Sequence, residues 1–309
     1  MIPLSKEIFD RYQVRKTKKQ KDAFIQLLKQ HYPQLEIQEG GFSKSRNLIL
    51  GDVEKAEFVF TAHYDTCPRL PFPNFITPKN PLLYIGYALL ITVPIILIVV
   101  ILSMLLRFLT DSFLINYFGT LIIYLGVFSF LLSGPANKHT ANDNTSGVIT
   151  LCELYQRLTE EERARTAMVF FDNEESGLFG SRLFKKKYLK QMRNKLLINF
   201  DCVSDGDNIL IASSKTARNK WNIEKHFSAN GSKIPMLEKA ESVLYPSDQM
   251  GFPNTVAVAA LKHNRFLGYY MDRIHTAKDT VFEEENIDYL CAGMQALVHE
   301  SVAVSANAD

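Results

Sequence analysis

Thr166-Ala167-Met168-Val169-Phe170-Phe171-Asp172-Asn173-Glu174-Glu175-Ser176-Gly177-Leu178 is the stretch on which the fold turns. Six uncharged residues give way at once to four acid or amide side chains. A short apolar run bounded by turn residues reads as a buried strand, and Gly177 to Leu189 reads as the helix after it. The same alternation recurs outward in both directions. Asn47–Leu50, Glu57–Thr61, Leu196–Phe200 and Thr255–Leu261 read as further strands. Ser146–Leu158 reads as a helix, with Val148, Leu151, Leu154 and Tyr155 at helical spacing. Asp22–Gln30 is an amphipathic helix closed by Pro33, and Asn286–Val304 closes the chain as a helix. Strands alternating with helices imply an α/β fold, with a mostly parallel (mixed) sheet sandwiched by helices.

Five potential metal ligands lie in order along this framework: His63, Asp143, Glu175, Asp201 and His275. His63, Glu174, Glu175 and Asp201 each fall at the C-terminal end of an apolar strand run, where open α/β sheets place their sites. Each has an ordinary explanation in isolation. Asp143 can cap the helix at Ser146, and Glu174-Glu175 can serve a helix N-terminus. The ordered set is what points to chemistry. Zinc takes imidazole nitrogen and carboxylate oxygen, and two ions can share a carboxylate while activating water and polarising a carbonyl. Two histidines and three carboxylates, one of them bridging, give each of two ions three protein contacts. Asp65 lies two residues beyond His63, so on an extended backbone both point the same way, placing its carboxylate to hold the second ring nitrogen. Of the adjacent pair Glu174-Glu175, one can bind metal while the other acts as general base.

The formal net charge is +2, which gives no case for nucleic acid. The short basic run Arg15–Lys21 is expected to be a solvated face. Four cysteines, at 67, 152, 202 and 291, form no C-x-x-C pair and suggest neither a disulfide framework nor a thiolate zinc site. Cys67 and Cys202 are expected to line the site as small buried thiols. The polar N-terminal residues do not read as a secretory signal, so the catalytic part is expected on the cytoplasmic side.

Leu82 to Leu106 is uncharged for 25 residues, and Ser112 to Asn137 is uncharged again after Arg107-Phe108-Leu109-Thr110-Asp111. The first run spans roughly 37 Å as a helix, enough to cross a ~30 Å hydrocarbon core. The expected organisation is a discontinuous catalytic domain, residues 1–80 and 136–309, interrupted by a two-helix transmembrane hairpin at 81–135. Lipid contact is expected through residues 82–134. Arg69, Lys79 and Lys138 flank the outer ends of the hairpin, against Arg107 and Asp111 at its turn, so those ends are expected in the cytoplasm.

The segments Thr61–Thr66, Ala141–Gly147, Phe170–Ser181, Asn199–Asp201 and His275–Thr280 resemble the signature blocks of metallopeptidase family 28. That family holds co-catalytic di-zinc aminopeptidases, glutamate carboxypeptidases and glutaminyl cyclases. The resemblance implies a zinc-exopeptidase-like fold and two Zn²⁺ per chain, with cobalt or manganese as substitutes. It implies His63 and Asp201 on one ion, Glu175 and His275 on the other, and Asp143 between them. Glu174 would be the general base and Asp65 the residue orienting His63. An aminopeptidase acting on peptides is the expected function. Glutaminyl cyclisation, carboxypeptidase action and a non-catalytic membrane scaffold stand as alternatives. Cyclases usually carry tryptophan before the last histidine, where this chain has Ile274. The family often shows Ser-Asp-His where this chain has Ser247-Asp248-Gln249, and the insertion after His63 is unusual. Tyr245, beside that loop, reads as a packing residue rather than an oxyanion donor.

Overall fold

The computed structural model describes residues 1–306. Its helices are α1 (Pro3–Arg11), α2 (Lys18–His31), α3 (Pro81–Leu109), α4 (Phe113–Ser133), α5 (Gly147–Arg157), α6 (Glu160–Ala164), α7 (Phe179–Tyr188), α8 (Lys215–Trp221) and α9 (Glu284–Ala306). Its strands are β1 (Glu36–Gly40), β2 (Ser45–Leu50), β3 (Phe58–His63), β4 (Thr166–Phe171), β5 (Leu196–Phe200), β6 (Asn208–Ser213), β7 (Ile234–Lys239), β8 (Thr255–Asn264) and β9 (Gly268–Tyr270). The sheet order is β1-β2-β4-β3-β5-β8-β6-β7, with β9 on β8. Its centre, β4-β3-β5-β8, is parallel. Antiparallel pairs β1–β2, β2–β4 and β6–β8 lead away from that centre on both sides. The mixed sheet sandwiched by helices is therefore as the alternation implies.

Every residue of β3, β4 and β5 is buried, as central strands covered on both faces require. Successive side chains enter opposite cores. Phe58 and Phe60 of β3 and Met168 and Phe170 of β4 join the larger core, with residues of α1, α2, α5 and α9. Val59, Val169 and Phe171 join the other, against Phe184, Tyr188 and Met192. Each such side chain contributes about 1.5–3 kcal/mol by leaving water. His63 stands opposite Phe171, and Thr61 opposite Asn199, so the three strands end nearly flush. That register brings the loops after β3, β4 and β5 to one edge of the sheet.

The basic run Arg15–Lys21 is the expected solvated face only in its middle, where Lys18 and Lys19 are exposed; its two ends turn inward. Arg15 is fully buried; its guanidinium donates to the Tyr64 and Tyr12 carbonyls and to Thr145 Oγ1 at 3.1 Å. Lys21 is buried against Asp172 Oδ1 at 2.5 Å. Thr17 caps α2 in a reciprocal capping box with Gln20, which aims Lys21 inward one turn later.

Between β3 and α5 the chain leaves the body. Arg69 N–H donates to Pro135 O at 2.7 Å, and Asn137 N–H to Cys67 O at 3.2 Å. The two ends of the excursion are thus stitched together a few residues past His63. Beyond them α3 and α4 pack on each other, and Gly119 leaves room for Leu106 to approach. No residue of α3 is buried. α3 is long and apolar enough to cross a membrane; α4 carries a shorter apolar stretch, Phe113–Val127, and continues as helix to Ser133. At the base, Tyr87 donates its hydroxyl to Pro73 O at 2.8 Å and packs against Phe75, ring centroids 5.1 Å apart.

Candidate metal centre

Each ligand candidate is delivered by a different element. β3 ends on His63, the 141–146 turn ahead of α5 carries Asp143, the turn after β4 carries Glu174 and Glu175, and β5 runs directly into Asp201. His275 arrives on a loop in the left-handed region, φ 65°. Asn173, Leu178 and Cys202 share that uncommon conformation beside the same ligands. For non-glycine residues this is strained backbone, held because the surroundings over-determine it.

The five side chains converge. His63 Nε2 lies 3.4 Å from Asp143 Oδ1 and 3.5 Å from Asp201 Oδ1. His275 Nε2 lies 3.1 Å from Asp143 Oδ2 and 3.3 Å from Glu175 Oε2. Two imidazole–carboxylate groups therefore meet on opposite oxygens of one aspartate. Glu174 lies within reach of His63 and Glu175, and Cys67 within reach of the His275 group. Cys202 is buried on the other side, its thiol 3.2 Å from Asp201 Oδ1. The cleft over the centre has a volume of ≈ 330 Å³, and Tyr245 and Ile274 contribute to its wall.

The electrostatics are those of too many acids for the bases present. Burial opposes the His63 imidazolium, but Asp143 and Asp201 outweigh it and hold its pKa well above the usual value. Burial opposes His275 too, and Glu175 and Asp143 push it up to about 9. Burial raises Glu175 to about 8, with the Asp143 charge adding to it. Burial, reinforced by Glu175 and Asp248, lifts Glu174 well above its ordinary range. Asp143 goes the other way: burial would raise it, but the two flanking imidazoles hold it below the usual carboxylate range. Glu175 Oε1 is buried without a hydrogen-bond partner. An orphaned buried carboxylate oxygen, and ring nitrogens aimed at carboxylates, are what a cation between them would satisfy. The residues present fit a metal centre.

The supporting contacts differ in detail from expectation. His63 Nδ1 faces the backbone carbonyl of Asp65 at 3.1 Å, and the Asp65 carboxylate is farther, at 3.8 Å. That carboxylate instead accepts the N–H groups of Glu174 at 2.9 Å and Glu175 at 3.2 Å. Asp65 therefore joins the β3 and β4 loops. The reason is proximity: the flush register sets the Glu174-Glu175 turn directly beside it. Three further positioning groups escaped the sequence reading. Asp279 accepts the N–H of Asn142 at 2.8 Å and of Asp143 at 3.0 Å. Burial first, then the Asp143 charge, pushes Asp279 up to about 7. Ser247 donates to Asp201 Oδ2 at 2.6 Å. Asn142 Oδ1 accepts from Ser204 and Asp205 N–H. Each lay in a quoted stretch, Asp279 in His275–Thr280, Asn142 in Ala141–Gly147 and Ser247 in Ser247-Asp248-Gln249, but none was read for this role. Tyr245 donates to the Asp201 carbonyl at 2.9 Å, which fits a packing role. Gln249 receives the Asn199 amide and donates to Tyr245 O, so it braces the loop.

This fold and this cluster define a metallopeptidase-like α/β protein. The sequence profile of peptidase family M28 matches residues 125–293, more than half of the chain, and the chain belongs to that family. No curated protein sequence matches it. The structure is similar to that of the LapA aminopeptidase of Legionella pneumophila, at 14% identity and TM-score 0.56, over 97% of this chain and 70% of that one. It is similar also to the Porphyromonas gingivalis glutaminyl cyclase, at 13% identity and TM-score 0.57, over 96% of this chain and 97% of that one. A Macrostomum lignano glutaminyl cyclase aligns at 12% identity and TM-score 0.55, over 98% of this chain and 89% of that one. At such identities these likenesses carry the fold alone.

Proposed function

We propose that the chain is a membrane-anchored di-zinc exopeptidase, an aminopeptidase that removes N-terminal residues from amide substrates at the cytoplasmic face. The observation that carries this reading is Asp143, whose two carboxylate oxygens each face a separate histidine within 3.1–3.4 Å. His63 and Asp201 would hold one ion and Glu175 and His275 the other, with Asp143 facing both groups. Bound there, zinc ions supply Lewis acidity toward a carbonyl and lower the pKa of water.

The chain's own residues do the rest. The Asp65 carbonyl, accepting from His63 Nδ1, leaves Nε2 free to face the centre. Ser247 fixes one Asp201 oxygen and leaves the other turned toward His63. Asp65 holds the Glu174 and Glu175 backbone, so both side chains enter the cleft from a rigid turn. Glu174 takes the proton of the attacking water at its carboxylate and returns it to the leaving nitrogen. The α-amine of the substrate sits among the acids of the cleft. α3, with α4 beside it, anchors the body, which lies on the side carrying Arg69, Lys79 and Lys138.

A panel of aminoacyl chromogenic amides, assayed with detergent-solubilised protein, tests the reading. Cleavage is expected to vanish with chelator, return with zinc, and be absent in Glu174→Gln. Metal-loaded protein that cleaves none of the panel overturns the aminopeptidase and moves the test to cyclase and carboxypeptidase substrates.

A further inference from the structure

An apolar groove of ≈ 340 Å³ runs from the centre onto the inserted helix. Glu175 and His275 form its inner end, shared with the cleft through Asn74. One wall is the segment from Pro68 to Phe75, and the other is α3 from Tyr84 to Ile95. The Tyr87–Pro73 hydrogen bond and the Phe75–Tyr87 ring contact fix those walls to each other. Along α3 the groove rises roughly 16 Å, far more than one amino-acid side chain fills.

Its polar side chains are few: Asn74, Tyr84, Tyr87 and Thr92, with Glu175 and His275 at the inner end. Tyr87 donates to Pro73 O, and Thr92 donates to Ala88 O at 2.8 Å within its own helix. A peptide laid here would bring an N–H and a C=O per residue to a mostly apolar wall with few partners for them. An aliphatic chain brings none.

We propose that the groove receives a single long aliphatic chain, carried on the amine side of the amide cleaved at the centre. The proposal rests on the aminopeptidase reading, which places the charged α-amine among the acids of the cleft and leaves the groove to the departing half. The substrate class is an N-terminal residue with a free α-amine, joined through its amide to a long-chain amine, and it enters from the lipid side of α3. In the reaction the water oxygen bonds to the carbonyl carbon and the C–N bond breaks. The water proton passes through Glu174 to the departing nitrogen. An amino acid and a long-chain amine are released.

The test uses the full chain in lipid nanodiscs, with partition into empty discs subtracted. Leucine dodecylamide is expected to exceed leucine butylamide in kcat/KM by at least about tenfold. Ala88→Trp, which fills the groove, is expected to erase that ratio. Ile101→Trp, farther along the same helix, is expected to keep it. Binding of both amides to Glu174→Gln gives a readout independent of turnover, with the same tenfold preference and the same loss in Glu174→Gln/Ala88→Trp. Equal turnover of the two amides, a preference surviving Ala88→Trp, or an equal gain from an oligoleucine amide overturns the groove and leaves the aminopeptidase standing. No cleavage of either amide, with the binding preference intact, overturns the aminopeptidase and leaves the groove.

Discussion

The α/β body and the inserted hairpin are built from the same apolar residue types and use them in opposite ways. In the body, β3, β4 and β5 hide every residue, because helices cover both faces of the sheet. In the hairpin, α3 is uncharged over 25 residues yet buries none of them. A helix apolar all round needs either a large core or a lipid surround. What decides the role of a leucine is what covers it. The body covers its apolar residues; α3 leaves its own uncovered. The two meet where the excursion is stitched to the loop after His63, so the cleft over the metal-ligand cluster opens beside the hairpin's base.

The comparison predicts that chemistry lives wholly in the body. Glu174→Gln is expected to lower kcat by about 10²–10⁴ while leaving metal content unchanged, read by turnover beside metal analysis. Retained turnover would remove the general base from the body. Metal removal comes next in size. A ligand bound only by the folded state, present at a thousand times its Kd, adds about 4 kcal/mol. Chelation is therefore expected to lower the melting temperature by on the order of 10 °C, and Glu175→Gln, which alters the orphaned carboxylate, to shrink that shift. A melting curve indifferent to chelator would break the link between the buried acid excess and a cation.

How far the sequence could be read follows the same division. The strands that position the site were legible because they are short, apolar and bounded by polar turns; Thr166–Phe171 and Leu196–Phe200 match residue for residue. His63, Glu175 and Asp201 were legible because each ends or follows such a strand, and Asp143 and His275 only through the blocks around them. β1 and β7 were not legible: Glu36–Gly40 and Ile234–Lys239 are edge strands with exposed, mixed side chains. Nor was the burial of Arg15 and Lys21 at the ends of the basic run. A basic run in sequence says nothing of a buried aspartate awaiting it from β4, 151 positions away. Asp65 was found at the right place with the wrong partner, because local spacing gives the direction of a side chain and not the turn that register sets beside it.

That missed contact makes a sharper test of the body. Lys21→Met leaves Asp172 buried with the Arg46 N–H but no cation. Breaking one side of a buried pair costs about 3–5 kcal/mol, and removing both charges costs less. Denaturant unfolding is expected to show a loss near the lower bound for Lys21→Met, and partial recovery in Lys21→Met/Asp172→Asn. Additive losses would mean the pair does not act as a unit.

The smallest effect is expected from the largest change. Replacing residues 82–134 by about a dozen Gly and Ser residues removes both long apolar helices and keeps the stitch between Cys67–Arg69 and Pro135–Asn137. Such a linker has an end-to-end distance of roughly 20 Å, ample for two ends already held together. The body loses the Tyr87 hydrogen bond and ring contact, a loss of about 1–2 kcal/mol. The shortened protein is expected to stay in the aqueous phase without detergent, melt within about 5 °C of the parent, and cleave short aminoacyl amides within about threefold of it. A shortened protein that unfolds would make the hairpin part of the core. One that still requires detergent would move the lipid-seeking surface from α3 to the body.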